Sequence, residues 1–488
     1  TCPPSRRRRA YDGRRAAKAA ATAGNIGKAL RALMSKGRPD KVSATRYRAL
    51  LEEKLPPNRL PLPPSPVFQP GTKSSCRTLV EEAAERRQDG VGTPDRLAWE
   101  KFVKKEIFSL RTGTSPGPSG MRPEHLRLAM GEVGSETSFH VADLVDNMLG
   151  GRVPAALATA GLVGFPKDDG SLRPIAYGEV IRKVAARITL AALRGPLSAC
   201  LEDHGQLGLA KYGPFRAFVA ARDAVRSGKH VFKIDCKNAF NSVERIAATA
   251  ATANAVAVLY GGSPNGSPDM GLPFLQAILC QPTKLYLTGE RQEPLEISRG
   301  VDQGCPLSPL VFALVCQRQV DLAKADGDAE VLEGRQGTQS VSAVFLHDDG
   351  YVMGEDPAAL AKFLQLLARR FAEVGIALNP LKSQYVAPVD ADSPQLSKWG
   401  KRVDFMRVVG GPLTALHVEA TVRAGLVEKF ATDVIQEKGT EVSAAARFED
   451  PQHAWGALRF CGMYSRTHSA AENARLSDLG SEGAGAWI

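Results

Sequence analysis

A pair of adjacent aspartates between two short apolar segments places the strongest constraint on how this chain folds. Residues 341–354 read VSAVFLHDDGYVMG, and Asp-Gly between apolar segments is a signal for a tight β-hairpin. The hairpin brings Asp348 and Asp349 together at its turn, where two ionised carboxylates repel each other. The sequence therefore predicts an antiparallel hairpin whose tip is either an ordinary polar turn or a site for a cation.

Short strands and capped helices alternate along the middle of the chain. Residues 230–235 (HVFKID) form a predicted strand that ends in an aspartate. Residues 179–193 carry apolar side chains at helical spacing, and Gly195-Pro196 is expected to stop that helix. A second helical stripe begins after an Asp-Pro cap and ends at Gly375. Hairpin strands and helices that share one core predict an α+β fold.

The composition favours an intracellular globular protein. The 488-residue chain is 43% hydrophobic, which is normal for a packed fold. No run of about eighteen apolar residues is uninterrupted, so we expect no membrane span and no membrane partner. The eight cysteines are scattered without C-x-x-C spacing, which indicates reduced thiols in a nuclear or cytoplasmic setting. The chain starts with Thr1 rather than methionine, and we expect it to be a fragment of a longer product.

Positive charge is concentrated at the N-terminus. Residues 1–50 contain 14 lysines and arginines and two aspartates, whereas the whole chain has a net charge of +11. The remainder is therefore close to neutral. Together with a proline-rich stretch at 55–75, this predicts a basic, largely disordered leader over residues 1–92. The four arginines at 6–9 suit nucleic acid or a nuclear-import receptor, and a solvated arm is the alternative.

Three aspartates at predicted strand ends form a candidate metal site. Asp235 ends one strand, and Asp348 and Asp349 lie at the hairpin turn. A hard divalent ion such as Mg²⁺ or Mn²⁺ binds one or two carboxylates together with substrate phosphates. Two such ions about 3.5–4 Å apart can hold the attacking and leaving oxygens of a phosphoryl transfer. The acids therefore suit metal-dependent phosphoryl transfer, although each one alone reads as a turn or strand-end residue.

Further motifs follow in a fixed order around these acids. They are FPKDDGSLRPIAYGEV at 165–180, FKIDCKNAFNSV at 232–243, GVDQGCPLSPLVFAL at 300–314 and GIALNPLKS at 375–383. In this order the set resembles the polymerase core of reverse transcriptases, and it is most similar to the non-LTR retroelement type. The resemblance covers about residues 112–412 and rests on the combination of motifs, because each motif alone is weak.

The resemblance implies a catalytic centre. Asp235, Asp348 and Asp349 correspond to the catalytic, metal-binding acids of the family, with the backbone carbonyl of Cys236 as a further metal ligand. Lys382 matches a lysine near the leaving pyrophosphate, where it is expected to donate a proton. The implied reaction is attack of a DNA primer 3′-hydroxyl on the α-phosphate of a dNTP, directed by an RNA template. Positioning and charge stabilisation supply most of the catalysis.

The resemblance also implies a nucleotide pocket. Lys167 and Arg173 match cations that contact the incoming triphosphate, and Arg offers a bidentate fork. Phe240 falls where a bulky side chain excludes a 2′-hydroxyl and so favours dNTP over rNTP. Gln303 and Gly304 fall where the family lines the nucleotide and template pocket. The glycine at 304 is expected to let a base pair approach the backbone.

A right-hand polymerase architecture follows from the same resemblance. It implies an N-terminal extension and fingers at 93–230, a palm with an antiparallel sheet at 231–412, and a helical thumb or connection at 413–488. The sequence RVVGGPL, which includes Val409 and Gly410, resembles the turn that grips the primer end.

The acidic hairpin departs from the commonest family sequence, Tyr-x-Asp-Asp. Leu346 stands at the tyrosine position and His347 at the variable one; the two neighbouring carboxylates favour protonation of the imidazole, but solvent and metal leave its role open. No endonuclease, RNase H or zinc-knuckle signature is found in the sequence. Two alternatives remain open: a catalytically inactive nucleic-acid-binding protein with a reverse transcriptase fold, and an RNA-templated RNA polymerase, because the palm chemistry is shared.

Overall fold

The computed structural model describes residues 44–87, 97–166, 171–259, 270–287, 293–332, 340–388, 393–409 and 411–414. These residues belong to two compact units, Thr1–Val403 and Asp404–Ile488. Within the second unit, the described residues form one antiparallel hairpin. The primer-grip residue Gly410 and nearly all of the predicted thumb lie outside the described residues.

Helices and strands are interspersed through the described chain. The helices α1 to α14 are, in order, Ala44–Glu52, Ser75–Arg87, Ala98–Phe108, Pro123–Ala129, Glu136–Leu149, Ala155–Ala158, Val180–Asp203, Gly213–Arg226, Ala239–Ser242, Arg245–Leu259, Leu272–Leu279, Ser308–Leu332, Pro357–Glu373 and Pro394–Ser397. The strands β1 to β11 are Ala160–Pro166, Leu172–Gly178, His230–Ile234, Thr283–Leu287, Leu295–Ile297, Ser342–Leu346, Asp349–Gly354, Gln384–Val386, Lys401–Arg402, Phe405–Val408 and Gly411–Thr414. This mixture confirms the predicted α+β class.

A five-stranded sheet with the order β6-β7-β3-β8-β9 carries the predicted acids. All of its pairs are antiparallel except β8 with β9. β3 is the middle strand, and its Val231, Phe232 and Ile234 are buried, as expected of a strand covered on both faces. Asp235 therefore directly follows the central strand of this sheet, between the ends of β7 and β8.

The helix after the acidic hairpin forms as its sequence predicts. Asp356 caps α13, because its carboxylate accepts from the N–H groups of Ala358 (2.8 Å) and Ala359 (3.2 Å). Gly375, with a φ of +86°, lies just past the last turn, where a left-handed residue ends a helix. The buried apolar face consists of Leu360, Phe363, Leu364, Leu367 and Phe371. Helix bounds and core face are both confirmed here.

The prediction that Gly195-Pro196 ends the earlier helix is wrong, because α7 continues to Asp203. Proline lacks an N–H and costs about 3 kcal/mol inside a helix. Leu197 and Leu201 continue the buried face beyond it, and burying each leucine contributes about 1.5–3 kcal/mol. Among the described residues, α7 is the one helix long and apolar enough to cross a membrane, a test that buried core helices also pass.

A four-stranded sheet with the order β2-β1-β4-β5 has a small core of its own. Tyr47 and Leu51 of α1 are buried in that core, and the Tyr47 hydroxyl accepts a hydrogen bond from the N–H of Gly164 (2.6 Å). The predicted disorder of the leader is therefore wrong for residues 44–87. The stabilising contacts join α1 to a sheet more than a hundred residues away, so no local pattern reveals them. Residues 1–43 lie outside the described part of the chain.

Candidate active site

Asp235 directly follows β3 and is held by the loop before β8. Its N–H donates to the hydroxyl of Ser383 (3.0 Å), and its carboxylate accepts from the side-chain amide of Asn379 (2.8 Å). The backbone N–H of Asn379 also donates to the carbonyl of Asp235 (2.8 Å). Three hydrogen bonds from one loop therefore fix both the backbone and the carboxylate of this residue.

The acidic hairpin turns one residue earlier than its Asp-Asp-Gly sequence predicts. Leu346 pairs with Asp349, so the two-residue turn consists of His347 and Asp348, and Asp349 is already the first residue of β7. His347 adopts a left-handed φ of +59°, as the first residue of a tight hairpin turn must. The turn thus presents Asp348 at its tip and Asp349 at the start of a strand.

The glycine of the Asp-Asp-Gly sequence is required for packing rather than for the turn. A Cβ on Gly350 would collide with the ring of Phe345 on the opposite strand. Gly350 also pairs with Ile234 of β3, so the next residues outward, Asp235 and Asp349, lie opposite each other at one edge of the sheet. The structure therefore brings the three predicted acids together.

Burial and mutual repulsion disfavour ionisation of these acids. Burial raises the pKa of Asp348 to about 6, and the charges of Asp349 and Asp235 act in the same direction. Burial also raises the pKa of Asp349, and Asp235 again contributes. Arg173 opposes the shift at Asp348, so this β2 cation is close enough to stabilise the ionised carboxylate. A further cation at this edge would stabilise all three ionised acids.

The donor set suits a hard divalent ion. The side-chain donors are carboxylate oxygens. Cys236 pairs with Leu378 in an isolated antiparallel bridge, but the hydrogen bonds of that bridge are made by the flanking residues. The backbone carbonyl of Cys236 is therefore not used in the bridge. No group of three His, Cys, Asp or Glu side chains converges on one metal position among the described residues. Mg²⁺ commonly takes one or two protein carboxylates and completes its shell with water and substrate phosphate. Two aspartates per ion therefore suffice.

His347 is not the charged imidazole that its acidic neighbours suggest. Burial lowers its pKa, and this effect exceeds the opposing influence of a hydrogen bond from the imidazole to the backbone carbonyl of Pro309 and of the charge of Asp349. Its ring also lies against Gly208, where a Cβ would approach the imidazole to within 2.7 Å. The ring therefore packs the tip of the hairpin against residues 205–208, where burial opposes the protonation that the neighbouring acids favour.

Gln206 anchors the turn and was not identified from the sequence. This fully buried side chain accepts hydrogen bonds from the N–H groups of His347 (2.9 Å) and Gly208 (3.1 Å), and it donates to the carbonyl of His347 (3.4 Å). Two close glycines, Gly205 and Gly208, flank it, and that Gly-Gln-x-Gly pattern was the available signal. Gln206 thus holds the turn that carries Asp348, although it lies 141 residues before His347 in the chain.

The variant Gln206→Leu is expected to lower the free energy of unfolding by about 2–3 kcal/mol, because it leaves two buried N–H groups without an acceptor. It is also expected to reduce primer extension, since Asp348 sits on the turn that is released. Thr252→Val, which removes a buried hydroxyl bond inside α10, is the matched control. Thermal unfolding and primer extension of both variants test this, and unaltered extension in a destabilised Gln206→Leu protein would contradict it.

Phe240 lies on the short helix α9 and stacks on Phe312 of α12, with ring centroids 4.5 Å apart and planes inclined by 17°. Phe312 is fully buried, whereas Phe240 is half-buried at the border of the core. The N–H of Val301 donates to the Phe240 carbonyl (2.8 Å). A half-buried ring on a fixed partner can form the wall of a pocket, which is compatible with the predicted contact to a sugar.

Gly304 has a different reason for being glycine than the one predicted. A Cβ at this position would collide with the carbonyl oxygen of Ala176 in β2. The glycine is therefore required for the close approach of two protein segments, and this requirement is independent of the predicted contact with a base pair. Gln303 is half-exposed beside it.

Of the remaining predicted residues, the structure describes Arg173, Lys382 and Val409 but not Lys167 and Gly410. Arg173 on β2 is exposed and influences Asp348. Lys382 is exposed and directly precedes Ser383, which binds the backbone of Asp235. Val409 has a left-handed φ of +50° in the turn between β10 and β11 of the second unit. Lys167 and Gly410 lie outside the described residues, so their roles stay predictions.

A buried ion pair lies next to Gln303 of the predicted nucleotide pocket, and it was not identified from the sequence. Arg182 of α7 and Asp302, the residue before Gln303, are 2.7 Å apart, and both side chains are about 95% buried. Arg182 also donates to the carbonyl of Ala158 (3.1 Å). The pair ties the polypeptide that leads into Gln303 to the long core helix.

Two comparisons with known proteins agree with this geometry. The family model described as reverse transcriptase (RNA-dependent DNA polymerase) matches residues 165–409, about half of the chain. The retrovirus-related Pol polyprotein from type-2 retrotransposable element R2DM of Drosophila melanogaster is 26% identical over 292 residues, which are 58% of this chain and 26% of that protein. The chain thus spans about a quarter of the length of this relative.

The matched region contains every predicted catalytic and nucleotide-binding residue, from Lys167 to Lys382, and it ends at Val409 of the predicted primer grip. The relative is the product of a retrotransposable element, in keeping with the resemblance to the non-LTR type. The chain therefore belongs to the reverse transcriptase (RNA-dependent DNA polymerase) family.

Proposed function

We propose that this protein is an RNA-directed DNA polymerase of a non-LTR retroelement, which transfers nucleotides from dNTPs to the 3′-hydroxyl of a DNA primer. The observation that carries the proposal is the arrangement of Asp235, Asp348 and Asp349 at one edge of an antiparallel sheet, with Arg173 acting on Asp348. Membership of the reverse transcriptase family supplies the reaction class. The proposed partners are an RNA template, a DNA primer and dNTPs.

The fold supports a right-hand architecture for this activity. The five-stranded sheet with α12 and α13 is the proposed palm, because it carries the three acids. The four-stranded sheet, which includes Arg173, is the proposed fingers. The thumb, predicted at 413–488, remains a proposal from the resemblance, as does nuclear or cytoplasmic localisation.

The proposed chemistry depends on charge stabilisation by two divalent ions, Mg²⁺ or Mn²⁺, which when bound neutralise the attacking and leaving oxygens. Asp235 and Asp348 would hold them, with the Cys236 carbonyl as a further oxygen ligand and Asp349 in support. Arg173 would pair with the triphosphate, since a guanidinium binds phosphate bidentately. Lys382 is the proposed proton donor to the leaving pyrophosphate. The protein's own contribution is to hold these groups before substrate arrives.

Primer extension on poly(rA)/oligo(dT) with Mg²⁺ and dTTP tests the proposal. Template-dependent incorporation that requires the divalent ion is the expected result. Salt-sensitive binding of the same duplex without any extension would instead support the alternative, an inactive nucleic-acid-binding protein. Incorporation of UTP in preference to dTTP would support the other alternative, an RNA-templated RNA polymerase.

The variant Phe240→Ala is expected to raise the use of ribonucleotides relative to deoxyribonucleotides by about tenfold to a hundredfold, because it removes the ring proposed to meet the 2′-position. The control is Phe139→Ala, which removes a half-exposed phenylalanine from α5. The ratio of kcat/KM for dGTP and GTP on poly(rC)/oligo(dG) measures the effect. An unchanged ratio in an active Phe240→Ala enzyme would show that another group selects the sugar.

A further inference from the structure

A segment of the leader lies against the polypeptide that carries Phe240. We call residues 54–59 (KLPPNR) the strap and residues 238–244 (NAFNSVE) the gate segment. The side-chain amide of Asn238 donates to the carbonyl of Lys54 (2.5 Å). The guanidinium of Arg59 lies 3.2 Å from the carboxylate of Glu244. The strap therefore contacts both ends of the gate segment.

Charge fixes the Arg59 end of the strap. Glu244 is fully buried, and its oxygen Oε1 is approached by Arg59 (3.2 Å) and by Arg299 (3.1 Å). Its other oxygen, Oε2, has no hydrogen-bond partner among the described residues. A buried carboxylate is stable only with its counter-charges in place. Arg59 also donates to the carbonyl of Ala372 (2.8 Å), so it spans the gate segment and the end of α13.

Arg299 connects the same elements from the opposite side. It donates to the carbonyl of Ser242 in the gate segment (2.5 Å) and to that of Pro57 in the strap (3.3 Å). Its third bond reaches the carbonyl of Gly375 (2.7 Å). One buried guanidinium therefore holds the strap, the gate segment and the α13 terminus together.

The backbone of the gate segment depends on this support. Asn238 adopts a left-handed φ of +50°, which is uncommon for a residue with a side chain. Its amide joins the strap to the helix start, because it donates to Lys54 and accepts from Asn241 (2.8 Å). The helix that follows, α9, has only four residues, too few to be stable without tertiary contacts.

We propose that the strap is a positioning element for sugar selection, in which Arg59 and the contact between Asn238 and Lys54 hold Phe240 in the place where it excludes a 2′-hydroxyl. This inference rests on the proposed polymerase function. The stacking of Phe240 on Phe312 fixes one face of the ring. The strap fixes the backbone that carries the ring, so its loss lets the ring withdraw and admit a ribonucleotide.

Two variants remove the two ends of the strap separately. Arg59→Ala removes the ion pair with Glu244, and Asn238→Gly removes the amide while it tolerates the left-handed backbone. The matched control is Lys54→Ala, because the side chain of Lys54 pairs with Glu53 at the surface (3.4 Å) and with no other carboxylate among the described residues, while its carbonyl stays in place. Phe240→Ala is the reference for a lost ring.

The measurement is the ratio of kcat/KM for dGTP and GTP on poly(rC)/oligo(dG), made below the melting temperature of each variant. We expect this ratio to fall by about tenfold in Arg59→Ala and Asn238→Gly, toward the Phe240→Ala value, since small displacements in a reactive pocket have effects of this size or larger. Lys54→Ala should keep the wild-type ratio. Arg59→Lys, which retains the charge, should recover part of the discrimination.

The outcomes separate this proposal from the polymerase function. A wild-type chain that extends no primer overturns the polymerase function itself. An active enzyme in which Phe240→Ala lowers the ratio but both strap variants leave it unchanged overturns only the role of the strap. Equal losses of dGTP and GTP use in the strap variants also overturn it, because a general loss of structure affects both nucleotides alike.

Discussion

Primer extension by the variant Asp348→Ala is expected to fall by about a thousandfold or more, which corresponds to about 4 kcal/mol of lost transition-state stabilisation. Asp348 lies at the tip of the hairpin, where the charges of Asp349 and Asp235 raise its pKa and that of Arg173 lowers it. Without its carboxylate, the site loses an oxygen ligand for the divalent ion and the charge that holds it. Single-turnover extension with Mg²⁺ and dTTP on poly(rA)/oligo(dT) measures the effect.

The matched control is Asp223→Ala, which removes a surface aspartate that pairs with Arg222 on α8. It should extend primers like the wild type. Asp348→Asn adds a second readout, because it removes one of three mutually repelling charges while it keeps the side-chain shape. In the absence of divalent ions it should therefore raise the melting temperature, although extension is lost. Extension within tenfold of the wild type in Asp348→Ala would remove this residue from the catalytic centre.

The features that sequence reasoning located are those set by local chemistry. Asp235 and the acidic hairpin follow from two short apolar strands and a turn signal, and the α13 cap follows from Asp356-Pro357. The error of one residue in the turn has a local cause as well. The Asp-Asp-Gly sequence predicts Gly350 in the turn, but the ring of Phe345 requires a glycine at that strand position, and His347 takes the left-handed conformation instead.

The features that sequence reasoning missed depend on partners far apart in the chain. Gln206 holds a turn 141 residues later, and Arg59 meets a glutamate 185 residues later. The flanking glycines mark Gln206 only as part of a turn, and nothing in its own segment marks Arg59, because what gives each residue a role is the burial of polar groups on another element. A proline-rich sequence that reads as an extended linker becomes ordered for the same reason. Long-range polar contacts of this kind are visible only once the fold is known.

The variant Asp302→Ala is expected to lower the free energy of unfolding by about 3–5 kcal/mol, the usual effect of removing one partner of a buried ion pair. Asp302 is the counter-charge of two buried guanidinium groups. Burial lowers the pKa of Arg245 to about 10, while Asp302 raises it and Arg182 lowers it further. Without Asp302, Arg182 and Arg245 would repel each other in the interior with no carboxylate between them. Chemical denaturation followed by circular dichroism measures the loss.

The hydrogen bonds of Arg245 connect the stability lost in Asp302→Ala to the proposed nucleotide pocket. Arg245 donates to the carbonyls of Gly300 (3.2 Å) and Gln281 (2.7 Å), so it holds the loop after β5 that leads into Asp302 and Gln303. A shift of Arg245 would move the proposed nucleotide pocket. We therefore expect Asp302→Ala to raise the KM for dTTP in addition to its effect on stability.

The double variant Arg182→Met/Asp302→Leu separates these two effects. It replaces the ion pair with apolar side chains of similar volume, and such replacements are often neutral or stabilising when the pair was fully buried. Its free energy of unfolding should therefore exceed that of Asp302→Ala. If the double variant is instead as unstable as the single one, the loss arises from Arg245 without its counter-charge or from the packing of this region, rather than from repulsion between Arg182 and Arg245. If the KM for dTTP of the double variant recovers together with its stability, the pocket does not need the ion pair itself. The pair would then act on the pocket only by keeping Arg245 in place.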